Sequence, residues 1–320
     1  MRVYTTRLKT GISRTKGFEE KGLAQFAVNC GLKCSHCCCY CSTGAVLRRH
    51  KAFKELGLNP FQNNYAIVDP DTPTRVARDA VAMKERGLVE LCTLVDAWDP
   101  AAQPYDLGRK CLGAILSQPG WTVRILTKNA AVARDFDIIS SCPNRVLIGL
   151  SITATVDKAE LMSVIEPNAS SISERMAVLS EAHKRGFRTY GMLCPLLPGI
   201  ADSPDQIEEL VRFAVSCGAE EIFVEPVNPR GPGLRPTQEA LTNSGYKDEA
   251  AAIEGIRTKE GWSRYATRLI LNVQQAVRKL YDISRLRFLL YPSRLTEKDV
   301  TRIKRDDAGM IWLSRPDRLP

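Results

Sequence analysis

The stretch NCGLKCSHCCCYC, Asn29 to Cys41, carries six of the chain's eleven cysteines. Adjacent thiols such as Cys37, Cys38 and Cys39 suit a disulfide framework poorly, and the total is odd. In a reducing compartment such a run binds metal more often than it pairs. The spacing C-x3-C-x2-C occurs twice, as Cys30, Cys34, Cys37 and as Cys34, Cys38, Cys41. Three thiolates on one tight loop can hold a four-iron cluster by three of its irons and leave the fourth open. Structural zinc takes four ligands as two separated pairs, and no second pair stands downstream. The run therefore reads as an iron–sulfur site before a zinc site. Tyr40, just ahead of Cys41, is an aromatic that can shield a cluster, which favours the second register. Cys30, Cys37 and Cys39 are left over, as packed thiols or as ligands of a second metal.

Around this loop, strand-like and helix-like segments alternate. Short runs rich in Val, Ile, Leu and Phe, bounded by turn residues, mark strands at Ala24–Cys30, Leu88–Val95, Thr122–Thr127, Arg145–Ile152, Phe187–Cys194 and Glu220–Glu225. Between them a helix starts at Pro73 and ends by Gly87, and another shows an apolar face through Leu107, Cys111, Leu112, Ile115 and Leu116. A third runs from Ser171 to Arg185. A fourth has Ser203 as N-cap, Pro204 in the first turn and Gln206 as capping-box partner. Six strands alternating with helices imply right-handed βαβ units and a parallel sheet. The alternation stops near Glu225, and the Pro/Gly-rich stretch from Pro229 to Pro236 looks like a boundary. Beyond it, Thr237–Tyr281 reads as helix, Arg287–Pro292 as a short strand, and the rest as a basic, partly helical tail to Pro320. The implied organisation is a basic segment 1–21, an α/β barrel segment 22–230 and an extension 231–320.

At 320 residues, 44% hydrophobic and 25% charged, the chain can pack one large α/β domain or one domain with an appendage. No apolar stretch approaches the roughly 20 residues that span a bilayer, and the first twenty residues lack an apolar signal core. A cytoplasmic location is expected. The net charge of +9 is uneven: residues 1–60 hold eleven Lys/Arg against three acids. Such a face attracts phosphate backbones, or is simply solvated. The scattered cysteines Cys92, Cys111, Cys142, Cys194 and Cys217 read by default as small buried hydrophobes.

The loop resembles that of the radical S-adenosylmethionine (SAM) superfamily, specifically the spore photoproduct lyase-like proteins labelled DNA repair photolyases, whose loop reads N-P-x-x-G-C-x-H-x-C-x-Y-C. Asn29, His36 and Tyr40 fall in place with Cys34, Cys38 and Cys41. The likeness continues in order through DAWDPAAQP (96–104), ILTK (125–128), ARDFDII (133–139), LSIT (150–153), IEPNASSISERM (165–176) and CPLLPGIAD (194–202), and covers about residues 22–230. It implies an α/β fold, a partial (β/α)6 radical SAM barrel, to which the pattern beyond residue 230 adds a mostly helical C-terminal extension. It also implies a lyase or modification enzyme with a [4Fe-4S] cluster and SAM as cofactors, and a reductant such as flavodoxin or ferredoxin. Nucleic acid is the candidate substrate and partner. The alternatives are modification of a small molecule or partner protein, or a zinc-stabilised nucleic-acid-binding module.

Residue by residue, the resemblance makes Cys34, Cys38 and Cys41 cluster ligands. It places Lys128 and Ser151, at strand ends, against SAM, where an ammonium and a hydroxyl suit its carboxylate and polar groups; a surface lysine and a strand-end serine are the plainer readings. Tyr40 belongs beside the cluster or adenine, or merely packs. Cys92-Thr93 falls where the lyase has a hydrogen-atom-donating cysteine, although the spacing departs by a residue or more, and a buried strand cysteine is the alternative. Ser42 stands where the lyase has a second tyrosine, which weakens the case for the same hydrogen relay and for thymine-dimer reversal. Thr153, Glu166 and Arg175 lie in matching segments, with Glu166 and Arg175 able to pair structurally. Asp96, Asp99 and Gln103 are either substrate contacts or loop caps, and His36 belongs to the hydrogen bonding of its loop.

Overall fold

The computed structural model describes residues 1–229 and 231–313. The part of the expected basic tail at 314–320, and position 230 in the Pro/Gly stretch, lie outside the described residues. Twelve strands are present among them: β1 Arg2–Thr5, β2 Ser13–Arg14, β3 Phe26–Val28, β4 Gly31–Lys33, β5 Tyr65–Val68, β6 Leu88–Leu91, β7 Thr122–Thr127, β8 Val146–Leu150, β9 Arg188–Leu196, β10 Ala219–Pro226, β11 Leu286–Leu290 and β12 Met310–Trp312. Nine form one open sheet, in the order β12-β11-β10-β9-β8-β7-β6-β3-β2. Every neighbouring pair from β3 to β12 is parallel, and β2 caps one edge antiparallel.

Alternation along the strands sorts side chains to two faces. Val123, Ile125, Ile148, Leu150, Ile222 and Val224 join the large core under the helices. Leu147, Tyr190, Met192, Phe223 and Leu289 form a second cluster inside the curve of the sheet. Leu23, from before β3, and Leu313, from after β12, belong to that inner cluster, so the segments flanking the parallel strands close on the same interior. Gly149 makes room for it: a Cβ there would lie 2.3 Å from the Tyr190 ring.

The six strands expected from the sequence are all found, with shifted ends, and the α/β partial barrel is the observed fold. The sheet then continues where the reading stopped at Glu225. The strand expected at Arg287–Pro292 is β11, added in parallel beside β10, and β12 follows. Three helices, Leu234–Asn243, Lys247–Gly255 and Lys259–Leu280, fill the crossover from β10 to β11. That span is too long to resemble one βα unit. At three half-buried residues, β12 is too short to carry a pattern.

The sequence also gave no sign of the three-stranded sheet β1-β5-β4. It packs its own apolar cluster through Leu32, Ala52, Phe53, Tyr65 and Ile67. Its strand β4 lies inside the cysteine run, so one side of the cysteine loop is pinned by a ladder to β5. The expected helices form, and both Ser171 and Ser203 make complete capping boxes, with Glu174 and Gln206. Among the described residues no helix is long and apolar enough to cross a membrane.

Candidate active site

A cavity of about 440 Å³ opens at the carboxyl ends of the parallel strands, the end at which α/β barrels carry their chemistry. Cys34, Cys38 and Cys41 line it, together with Tyr40, Cys92, Lys128 and Ser151. The structure thus brings all seven sequence-nominated residues to one space. It separates off the other cysteines of the run. Cys30 points to Cys92 and Cys111, with sulfur separations of 3.7 and 3.8 Å. Cys37 Sγ lies 3.4 Å from Met1 Sδ, and Cys39 Sγ 3.9 Å from the Val164 carbonyl.

The loop is held from several sides, which fixes the three thiols before anything binds. Asn63 Nδ2 donates to the Cys38 carbonyl at 3.1 Å, and the Cys39 amide donates to the Ile165 carbonyl at 2.9 Å. Asn168 Nδ2 donates to the Ser35 carbonyl at 2.9 Å. Lys33, counted above with the basic face, is buried beneath the loop and donates to Asn63 Oδ1 at 2.8 Å and the Pro60 carbonyl at 3.0 Å. Gly233, from the extension, sits against the Tyr40 backbone, where a Cβ would lie 2.7 Å from the carbonyl oxygen.

The acidic loop after β6 proves to be scaffolding. Asp96 accepts from Thr127 Oγ1 and the Lys128 amide at 2.8 Å and from the Trp98 amide at 2.9 Å. Asp99 accepts from the Ser35 amide and hydroxyl at 2.9 Å and from the Ala101 amide at 2.7 Å. Gln103 Nε2 donates to the Trp98 carbonyl at 3.0 Å. These bonds cap the loop and tie it to the residue after Cys34. His36, buried beside them, has Nδ1 3.6 Å from Asp96 Oδ2.

Glu166 and Arg175 pair in the core, and Glu166 also accepts from the Tyr40 hydroxyl and from Thr153 Oγ1. Burial opposes its charge, but Arg175, Lys128 and the Tyr40 hydrogen bond win and hold its carboxyl below the usual range. The pair is therefore a structural one that fixes the Tyr40 ring in the cavity wall. Lys128 Nζ stands 5.8 Å from the centre of that ring and 3.5 Å from the Cys194 carbonyl.

Burial, reinforced by Asp99 and by the other two thiols, pushes the Cys34 thiol well above its ordinary range. Burial and Glu166 do the same for Cys38. Such a cluster of thiols ionises only against positive charge, and an iron–sulfur group supplies it. Among the described residues no three His, Cys, Asp or Glu side chains converge on a point suited to one metal ion. A cube does not require that, because each of its ligand thiolates binds a different iron. The donor set, three soft thiols around a cavity with a cation and hydroxyls beside them, fits a cluster held at three corners with a small polar molecule next to it.

Several cavity residues escaped the sequence reading. Lys21, from before β3, pairs with Glu225 at the end of β10 across 3.8 Å. Cys194, taken above for a packed hydrophobe, lines the cavity and donates to Glu225 at 3.5 Å. Asn228, near the end of the barrel segment, and Tyr291, beyond it, line it too. For Cys194 and Glu225 the available signal was their place at strand ends. For Tyr291 there was none, since β11 had not been joined to the sheet.

No family model matches the chain. Among curated proteins, an uncharacterised protein of Mycobacterium tuberculosis is 26% identical over 216 residues, 65% of this chain. A protein of Acidianus two-tailed virus is 24% identical over 212 residues, 64% of this chain and 68% of its own length. The chain spans 60% of the length of the mycobacterial relative. Among solved structures the neighbours are spore photoproduct lyase. Its complex with dinucleoside spore photoproduct superposes with a TM-score of 0.54 at 14% identity, covering 87% of this chain and 79% of that one. A mutant with bound AdoMet and dinucleoside spore photoproduct gives 0.54 at 15% identity over the same shares. A cysteine-to-alanine mutant with the dinucleoside gives 0.58 at 14%. The chain shares the fold of that lyase.

Proposed function

We propose that this chain is a radical SAM enzyme that reductively cleaves SAM at a [4Fe-4S] cluster held by Cys34, Cys38 and Cys41, and that it acts on a nucleic-acid or nucleotide-like substrate. The observation that carries the reading is the gathering of these three thiols, with Lys128 and Ser151, around one cavity at the carboxyl end of a parallel sheet. AdoMet and a dinucleoside occur together in a lyase mutant of the same fold, which supports both halves of the proposal. When bound, the cluster supplies one low-potential electron that breaks a carbon–sulfur bond of SAM and yields a 5′-deoxyadenosyl radical.

The chain's own residues do the positioning. The Lys128 ammonium would take the SAM carboxylate, the Ser151 hydroxyl would take a polar group of the same molecule, and the Tyr40 ring would lie beside the cluster or the adenine. Cys92, at the wall, gives a hydrogen atom to a carbon radical. Burial pushes the Cys92 thiol well up, so it stays in the S–H form that hydrogen-atom transfer needs. A redox protein such as flavodoxin or ferredoxin delivers the electron.

The nucleic-acid half rests on the cavity's rim. Helix Thr43–Leu47 presents exposed Val46 there, and Arg48, Arg49, Lys51 and Lys54 follow, all exposed. Phosphates would meet the cations and a base the apolar rim.

Anaerobically reconstituted protein is expected to show the broad visible absorption of a four-iron cluster and to release 5′-deoxyadenosine from SAM with a reductant. Neither signal, and no change with Cys34→Ala, would end the radical SAM reading. Binding to a short single-stranded oligonucleotide is expected to weaken steeply with salt. No binding at low salt would turn the substrate toward a small molecule or a protein.

A further inference from the structure

Asn29 anchors the turn after β6. Its Oδ1 accepts from the Thr93 and Leu94 amides at 3.0 and 2.8 Å, and its Nδ2 donates to Thr93 Oγ1 at 2.8 Å. This clamp seats Cys92 against the next residue of the link between β3 and β4, Cys30, with the two sulfurs 3.7 Å apart. Beyond Cys30, away from the cavity, Cys111 follows at 3.8 Å. Of the three, Cys92 lines the cavity, while Cys30 is buried behind it.

We propose that Cys30 is the second thiol of a hydrogen-atom relay, reloading Cys92 after Cys92 has quenched a carbon radical in the cavity. The inference rests on the radical SAM reading above. In the first step the S–H bond of Cys92 breaks, a C–H bond forms, and a thiyl radical is left on Cys92. In the second, the S–H bond of Cys30 breaks and that of Cys92 re-forms, which moves the radical one residue inward. The two S–H bonds are alike, so this transfer is close to thermoneutral and needs no added oxidant or reductant.

Two further facts favour hydrogen-atom chemistry over thiolate exchange. The contact with Cys111 and burial push the Cys30 thiol well above its ordinary range, and inert, protonated sulfur is a poor nucleophile yet keeps the hydrogen that the relay passes on. The Tyr40 hydroxyl in the same wall is committed to Glu166 and does not compete as the hydrogen donor.

The relay has a stoichiometric signature when no substrate is supplied. Two 5′-deoxyadenosyl radicals can each take a hydrogen atom, one directly from Cys92 and one after reloading, leaving a Cys30–Cys92 disulfide and two molecules of 5′-deoxyadenosine. The reconstituted protein is incubated in D2O with excess SAM and reduced flavodoxin, without thiol reductants, and deuterated 5′-deoxyadenosine and cross-linked peptides are counted by mass spectrometry. The expected result is two deuterated molecules per chain and a disulfide from Cys30 to Cys92 or, after exchange, to Cys111. Cys30→Ala and Cys30→Ser are expected to give one molecule and no disulfide. One molecule from wild type with no disulfide, or identical results for wild type and both variants, overturns the relay while leaving the radical SAM reading intact. No 5′-deoxyadenosine at all overturns that reading, and the relay with it.

Discussion

At the amino ends of the strands, Arg145 donates to the carbonyls of Leu116, Gln118 and Trp121 at 2.8, 2.6 and 2.9 Å, and Arg188 forks onto Glu220 at 2.7 and 2.8 Å. The recess they border, about 190 Å³, is walled by charges that already have partners. At the carboxyl ends of the same strands, Cys34, Cys38, Cys41 and Lys128 face a space of about 440 Å³, and the nearby Asp96 and Asp99 are taken up in holding their own loop. One end consumes its polar groups internally; the other holds them in position and unspent. The difference separates a stability face from a chemical face on one sheet.

The contrast breaks most sharply at Cys34. Cys34→Ala is expected to lose cluster iron and at least about a hundredfold of 5′-deoxyadenosine formation, roughly 2.7 kcal/mol or more in barrier terms. The unfolding midpoint of the iron-free protein is expected to move by no more than about 4 °C. Iron analysis, product assay and calorimetry check the three parts, and a collapse of the iron-free fold would erase the distinction between the faces. Arg145→Ala is the converse. It strands three carbonyls and is expected to cost about 2–3 kcal/mol in urea denaturation, with SAM cleavage per folded molecule unchanged.

Lys128→Met probes the chemical face more gently. Removing the cation is expected to weaken SAM binding about tenfold, roughly 1.4 kcal/mol, at unchanged cluster content, as read by equilibrium dialysis. The smallest effect lies between the two ends. Glu90 is Arg124's register partner and points inside the sheet. Burial raises its carboxyl to about 8 against the pull of Arg124 and Lys21. The folded chain therefore keeps a proton that the unfolded chain sheds above its ordinary carboxylate range. Stability from this group declines as pH rises toward 8 and then levels. Glu90→Gln is expected to flatten that decline in urea midpoints taken from pH 5 to about 8.5, and an unchanged slope would show that another group sets it.

How much was legible follows the same division. The cysteine run and six strands were readable because ligand spacing and hydrophobic alternation are local properties. Tyr40, Lys128 and Ser151 could be nominated because a strand end or a motif position marks them. The partners that hold them were not readable, since each is a long-range pairing: Gly233 against Tyr40, Asn63 under Cys38, Lys21 across to Glu225. Lys33 was misleading for a related reason. Its charge counted toward a surface, whereas its ammonium is spent on Asn63 and Pro60 inside. The Cys30–Cys92 contact depends on strand register, which no spacing within the run discloses.

The placement of β11 beside β10 bears on any attempt to make the protein smaller. A fragment stopped at the Pro/Gly stretch would leave the β10 ladder bare along one side, and naked edges of that kind recruit other chains. It would also lose the backbone of Gly233 that bears on Tyr40. Laboratories seeking a compact version would do better to trim surface turns than to remove β11 and β12, because these strands cover the β10 edge.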